Sequence, residues 1–275
     1  MLKACSQKYY HYKIAATPVD PDFEQDSSVF NIGTTFHYVL EMTKHVYPHP
    51  DFARLLESKC LELKLDKDDM AMIHGMLLKY HKLHQETGLT CIYAELELSS
   101  DEFYGLVDVV LVNQVTGDWW LADLKTAARL NNFVLARLHQ DLQLNLYASF
   151  CNLIADYLEL DIAKFKGCRY RVTTKPTIKR KSTETYLEFV VRNYTSAKTY
   201  DVPIPIEKMN PKQARESHAQ LWHLANDLRS GKVLPEKNFA ACDGYFKPCS
   251  YWSQCMSATH TECAKMVEEE MLKRE

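Results

Sequence analysis

The chain has 275 residues, 46% hydrophobic and 25% charged, a balance that suits a folded protein and excludes collagen-like, low-complexity and disordered classes. Thirty-three basic against thirty-six acidic side chains leave a formal net charge of −3, so no overall positive field attracts a polyanion and any such site has to be local. No apolar run reaches the ~18 to 20 residues of a membrane span, and the opening MLKACSQKYYHYKIAATP is too polar for a signal-peptide core; the cytoplasm, or the host cytoplasm for a virus-encoded chain, is the expected location.

Apolar residues at helical spacing predict a largely helical region over 1–87, through FNIGTTFHYVLEMTKHVY, DFARLLESKCLELKL and DDMAMIHGMLLKYHKLHQE, with Gly88 as the stop. The period then changes to two. CIYAELELSS alternates, YGLVDVVLVN is mostly apolar and GDWWLADLKT follows a VTGD turn, which together predict a three-stranded meander. Residues 133–160 read as one long amphipathic helix with Leu135, Leu138, Leu142, Leu146 and Phe150 on one side. Two further strands are expected at GCRYRVTTK and TYLEFVVRN, then a helix over roughly 210–230. Turn-rich stretches at 18–28 and 175–185 read as flexible, and no internal repeat is visible. The order argues for one compact α/β domain: a helical region over 1–87, a core over 88–200, and a C-terminal helix with a cysteine-rich segment over 201–275.

Charged residues inside the apolar strands draw attention first. Asp108 falls in the second strand, and Asp123 and Lys125 lie two apart in the third, so they share a face and one end of the sheet. Carboxylates in such strands are costly unless paired or bound to a cation; their hard oxygens suit Mg²⁺ or Mn²⁺, and a lysine beside them can stabilise charge at phosphorus. Taken alone, DLK is equally a buried ion pair.

The surrounding residues resemble the PD-(D/E)xK nuclease superfamily, and specifically its RecB-like branch. GLVD at 105–108 resembles the G-x-x-D element, DLK at 123–125 the D-x-K element, QLNLY at 143–147 the Q-x-x-x-Y signature, and GTTFH at 33–37 the G-x-x-x-H helix. The resemblance implies a restriction-endonuclease-like core, a mixed central sheet flanked by helices, with a helical N-terminal layer. It implies that His37, Asp108 and Asp123 bind the metal with help from the Leu124 carbonyl, that Lys125 assists catalysis, and that Gln143 and Tyr147 line the DNA path. Related nucleases often carry a glutamate in the preceding strand; of Glu95 and Glu97 we select Glu95.

The cysteines divide into two groups. Cys60, Cys91, Cys151 and Cys168 stand singly in apolar or helical contexts and read as small buried hydrophobes. Cys242, Cys249, Cys255 and Cys263 crowd near the C-terminus and Cys5 lies at the other end. Clustered thiolates suit a soft metal centre, and zinc is the general expectation, but the paired C-x2-C spacing of zinc knuckles is absent. CSQKYYHYKI and PCSYWSQC resemble the terminal elements of iron–sulfur RecB-like nucleases, of the bacteriophage and CRISPR-associated adaptation types. That resemblance implies a [4Fe–4S] cluster on Cys5, Cys242, Cys249 and Cys255, with Ser6 and Ser250 in place of the usual prolines and Cys263 as a competing ligand.

RYRVTTKPTIKRKSTETYLEFVVR resembles a region of the bacteriophage-type proteins, where Lys175, Lys179, Arg180 and Lys181 offer charges to phosphates. Tyr9, Tyr10 and Tyr12 offer faces for bases. The resemblance implies a Mg²⁺- or Mn²⁺-dependent deoxyribonuclease, an exonuclease hydrolysing single-stranded DNA ends in recombination, repair or phage/CRISPR DNA processing, with recombination, CRISPR or phage proteins as partners. Two other readings stay open: a non-catalytic DNA-end-binding recombination module with a structural cluster, and a zinc-binding interaction protein with an incidental DLK.

Overall fold

Five strands form one mixed sheet in chain order: β1 (Leu89–Ser100), β2 (Phe103–Asn113), β3 (Trp119–Ala127), β4 (Phe165–Thr174) and β5 (Thr199–Pro205). All neighbours are antiparallel except β3 and β4, which run parallel. The computed structural model describes residues 27–100, 103–130, 135 and 138–234. Residues 26–215 make one unit, and the described residues from Glu216 on belong to another. No helix among the described residues is long and apolar enough to cross a membrane.

Among the described residues, three helices precede the sheet: α1 (Ser27–Met42), α2 (Phe52–Glu62) and α3 (Lys67–Glu86). The Asp66 carboxylate accepts from the Asp68 and Asp69 amides and starts α3. Gly88, at φ 63°, turns the chain into β1. Phe36, Val39, Leu40, Leu56, Met76 and Leu77 pack on one sheet face against Val109, Leu111, Ala122 and Leu124. The other face buries Val110, Val112, Trp119 and Leu121 beneath α4 (Leu142–Ser149) and α5 (Cys151–Tyr157). The meander, the three helices before it and the helix α7 (Pro211–Arg229) fall where periodicity predicts them.

Two expectations need correction. The single helix over 133–160 is interrupted. Asp141 is extended and its carboxylate accepts from the Leu144 amide, which starts α4 afresh, and Phe150 (φ −100°, ψ 9°) separates α4 from α5. Asn145 locks the entry by donating to the carbonyls of His139 and Asp141. The strand expected at TYLEFVVRN is instead α6 (Tyr186–Ser196). Thr185 and Glu188 form a reciprocal capping box, and Phe189, Val190 and Asn193 are buried while Leu187 and Val191 are exposed, a helical and not an alternating period. The true β5 follows it.

The 175–185 stretch is tied at both ends. The Lys175 N–H donates to the Ala127 carbonyl at 2.8 Å, Arg180 donates to the Glu184 carbonyl, and the Glu184 carboxylate accepts from Arg192 at 2.6 Å. Cys60 and Cys168 are buried, Cys91 and Cys151 half-buried, and burial pushes all four thiols above their ordinary pKa, as small core residues require.

Candidate active site

The site forms where β2 and β3 part. Their pairing runs from Val112–Trp119 to Val109–Ala122, and Asp108 and Asp123 are the first residues beyond that last pair on each strand. A buried amide left without a strand partner needs another acceptor. Asp108 supplies it: its Oδ2 accepts from the Leu124 N–H at 2.5 Å. Asp123 is buried, and Lys125, two residues on along the same face, places its Nζ 2.7 Å from the Asp123 Oδ1.

Strand alternation breaks at this fork. Val107 packs under α4 and α5 whereas Val109 packs under α1 to α3, although residues two apart on a regular strand share a face. Opposite Asp108, between the Ala94–Val109 and Leu96–Val107 pairs, lies Glu95 at φ 52°. A left-handed glutamate costs roughly 1–3 kcal/mol and persists only where its surroundings hold it. The result is convergence: ligand atoms of His37, Glu95 and Asp108 lie within 4.8 Å of one another, with His37 Nδ1 4.0 Å from Asp108 Oδ2. Glu97 is exposed.

Helix α1 is split by its own period. Ile32, Phe36, Val39 and Leu40 enter the core, while Phe30, Gly33, Thr34, His37, Tyr38 and Glu41 form the opposite stripe and line a cleft of about 850 Å³. The motif glycines let the walls approach. A Cβ on Gly33 would stand 3.0 Å from Thr126 Oγ1, and one on Gly105 would stand 3.1 Å from the Tyr147 ring.

Burial and like charge dominate the electrostatics. Burial, aided by the Asp108 and Glu41 charges, pushes Glu95 up to about 7. Burial raises Asp123 to about 6 against the pull of Lys125, and raises Asp108. Burial and Lys125 lower His37 to about 4, leaving a neutral imidazole able to donate a lone pair. For Lys125 burial opposes the charge, but the two aspartates outweigh it and keep its pKa above the ordinary lysine value. Crowded carboxylates beside a neutral histidine form a donor set whose mutual repulsion a bound divalent cation would relieve. The donor set, one nitrogen and two carboxylates within 4.8 Å of one another, fits Mg²⁺ or Mn²⁺.

The remaining candidates divide. Gln143 and Tyr147 line the cleft; Gln143 Nε2 donates to the Tyr147 hydroxyl at 2.7 Å, which donates to the Leu106 carbonyl at 2.5 Å. Lys175 also lines it, whereas Arg180 is engaged with the Glu184 carbonyl and faces Asp68 at 3.5 Å. Cys5, Cys242, Cys249, Cys255 and Cys263, and Tyr9, Tyr10 and Tyr12, lie outside the described residues. Sequence reasoning missed Phe30, Glu41, Lys59 and Tyr104 in the cleft wall. Glu41 was within reach, one helical turn beyond His37.

A mixed sheet that forks at two aspartates, with a lysine two residues on, is an arrangement able to hold a divalent cation and a positive charge beside a phosphodiester. The model of the PD-(D/E)XK nuclease superfamily matches residues 1–256, and the chain belongs to that superfamily. Comparison with curated proteins found no match.

Proposed function

We propose that the protein is a Mg²⁺- or Mn²⁺-dependent DNA exonuclease of the RecB-like branch that acts on single-stranded ends. The observation that carries this reading is the fork, which sets His37, Glu95 and Asp108 around one point with the Asp123–Lys125 pair beside it. His37, Glu95, Asp108 and Asp123 would hold the cation, whose contribution when bound is Lewis-acid polarisation of a phosphodiester and its attacking water. The Leu124 carbonyl would join them, since on a regular strand a residue's C=O lies on the same side as its N–H, which here bonds Asp108. Lys125 keeps its proton and stabilises the charge that builds on the phosphoryl oxygens, and Asp123 fixes its position. Gln143 and Tyr147 brace β2 through Leu106 and border the strand's path.

Digestion of end-labelled single strands, blocked at the 5′ or the 3′ end, tests the reading. Cleavage that needs Mg²⁺ or Mn²⁺ and is stopped by one of the two blocks supports it; binding without cleavage would favour a DNA-end-binding module. A [4Fe–4S] cluster on Cys5, Cys242, Cys249 and Cys255 is part of the proposal and rests on the resemblance of CSQKYYHYKI and PCSYWSQC to the terminal elements of iron–sulfur RecB-like nucleases, with 201–275 supplying three of the four ligands. Anaerobic purification should yield a brown protein that Cys5→Ser bleaches and Cys263→Ser does not. Colourless protein with stoichiometric zinc would overturn the cluster without touching the nuclease site.

A further inference from the structure

Two large aromatic side chains stand exposed in the wall of the cleft that holds the His37, Glu95 and Asp108 donors: Phe30 at 62% and Tyr104 at 65%. Their placement follows from the elements that carry them. Phe30 precedes His37 by seven residues on the same stripe of α1, about 10 Å at ~1.5 Å per residue. Tyr104 precedes Asp108 by four residues on β2, about 13 Å at ~3.3 Å per residue. Both therefore lie at a similar reach from the donors, about three nucleotides at ~3.4 Å per stacked base. Cations share the wall. Lys59 of α2, which bonds Glu62 at 2.7 Å and stands 4.9 Å from the centre of the Tyr38 ring, lines the cleft, as does Lys175.

We propose that Phe30 and Tyr104 stack on unpaired bases of the DNA strand being cleaved, while Lys59 and Lys175 hold its phosphates, so that this wall selects single-stranded ends. An aromatic face accepts any base, but a base inside a duplex has both faces covered by its neighbours. A paired end must therefore unstack before it can use these rings, whereas a single strand presents its bases at once. This rests on the nuclease reading above and adds the residues that select the substrate.

The test is a cycle of protein and substrate changes on the full-length protein. Cleavage of a single strand in Mn²⁺ is compared with that of the same strand whose terminal ~four nucleotides are abasic, for wild type, Phe30→Ala, Tyr104→Ala and the double variant. Each alanine should lower kcat/KM on the intact strand about 10-fold, and the abasic strand should be cut slowly by wild type and no more slowly by the variants. Tyr104→Phe and Phe30→Tyr, which keep the ring, should retain cleavage. Wild type that cuts both strands alike, or alanine variants that lose as much on the abasic strand as on the intact one, would overturn the stacking role and leave the nuclease reading standing. Wild type that cuts neither strand would remove both.

Discussion

Asp108 accepts a hydrogen bond from the backbone N–H of Leu124 across the gap where β2 and β3 separate. One carboxylate thus satisfies the amide that the fork leaves open and stands beside His37 and Glu95. Its two roles, structural through one oxygen and electrostatic through its charge, can be separated by substitution.

Asp108→Asn keeps an acceptor oxygen and removes the charge, whereas Asp108→Ala removes both. Because burial raises the pKa of Asp108 in the folded state, its negative form opposes folding. Asp108→Asn should therefore be at least as stable as wild type in chelator and fail to cleave DNA. Asp108→Ala should fail equally and lose roughly 1–3 kcal/mol, the cost of an unpaired buried amide. Thermal denaturation in EDTA distinguishes them; equal stability of the two variants would mean that Leu124 does not depend on Asp108.

Gly75 in α3 gives a test of sign. Helix propensity alone favours Gly→Ala by about 1 kcal/mol. In the fold, however, a Cβ on Gly75 would stand 2.7 Å from the Tyr194 amide nitrogen and 2.8 Å from the Val190 carbonyl oxygen of α6, backbone atoms that cannot swing aside. Gly75→Ala should destabilise by roughly 1–3 kcal/mol. A raised Tm would contradict the close packing of α3 on α6.

A buried histidine group makes the fold acid-sensitive. His45 bonds the Tyr80 hydroxyl at 2.8 Å, and His84 faces the Arg171 guanidinium at 2.9 Å. Burial, then the neighbouring His84 or Arg171, lower His81 and His84 to about 4 and hold His45 well below the ordinary histidine value. With folded pKa values below the unfolded one, the unfolded chain takes up protons first as pH falls. Stability is full above the ordinary histidine range near ~6.5 and declines toward pH about 4. His84→Gln, which can still accept from Arg171, should match wild type at neutral pH and lose less Tm on acidification. An identical acid slope would remove His84 from the cause.

Much of this was legible in the sequence. Helices α1 to α3 and the meander follow from clean periods, and Asp108, Asp123, Lys125, His37 and Glu95 stand out as polar residues at defined steps in apolar elements. Why Glu95 and not Glu97 faces His37 was not legible, because a left-handed residue and a break in alternation leave no compositional trace. Nine residues of TYLEFVVRN fit a strand about as well as a helix until the Thr185–Glu188 cap is recognised. The break at Asp141 and Phe150 lay hidden in an apolar pattern that runs on without pause. Exposure of Phe30 and Tyr104 is a property of the assembled walls, and their identities alone suggest burial.

The most direct measurement is cleavage of end-labelled DNA by purified wild type, Asp123→Asn and Lys125→Met in Mg²⁺ or Mn²⁺, with chelated wild type as the blank. Asp123 is buried against Lys125 at 2.7 Å, so both variants should fold yet lose at least about a hundredfold in rate, the scale of a positioned charge acting on a transition state. Metal-dependent cleavage by wild type that both substitutions abolish is the expected result. Cleavage at the wild-type rate by either folded variant would contradict a phosphodiesterase centre at the β2–β3 fork.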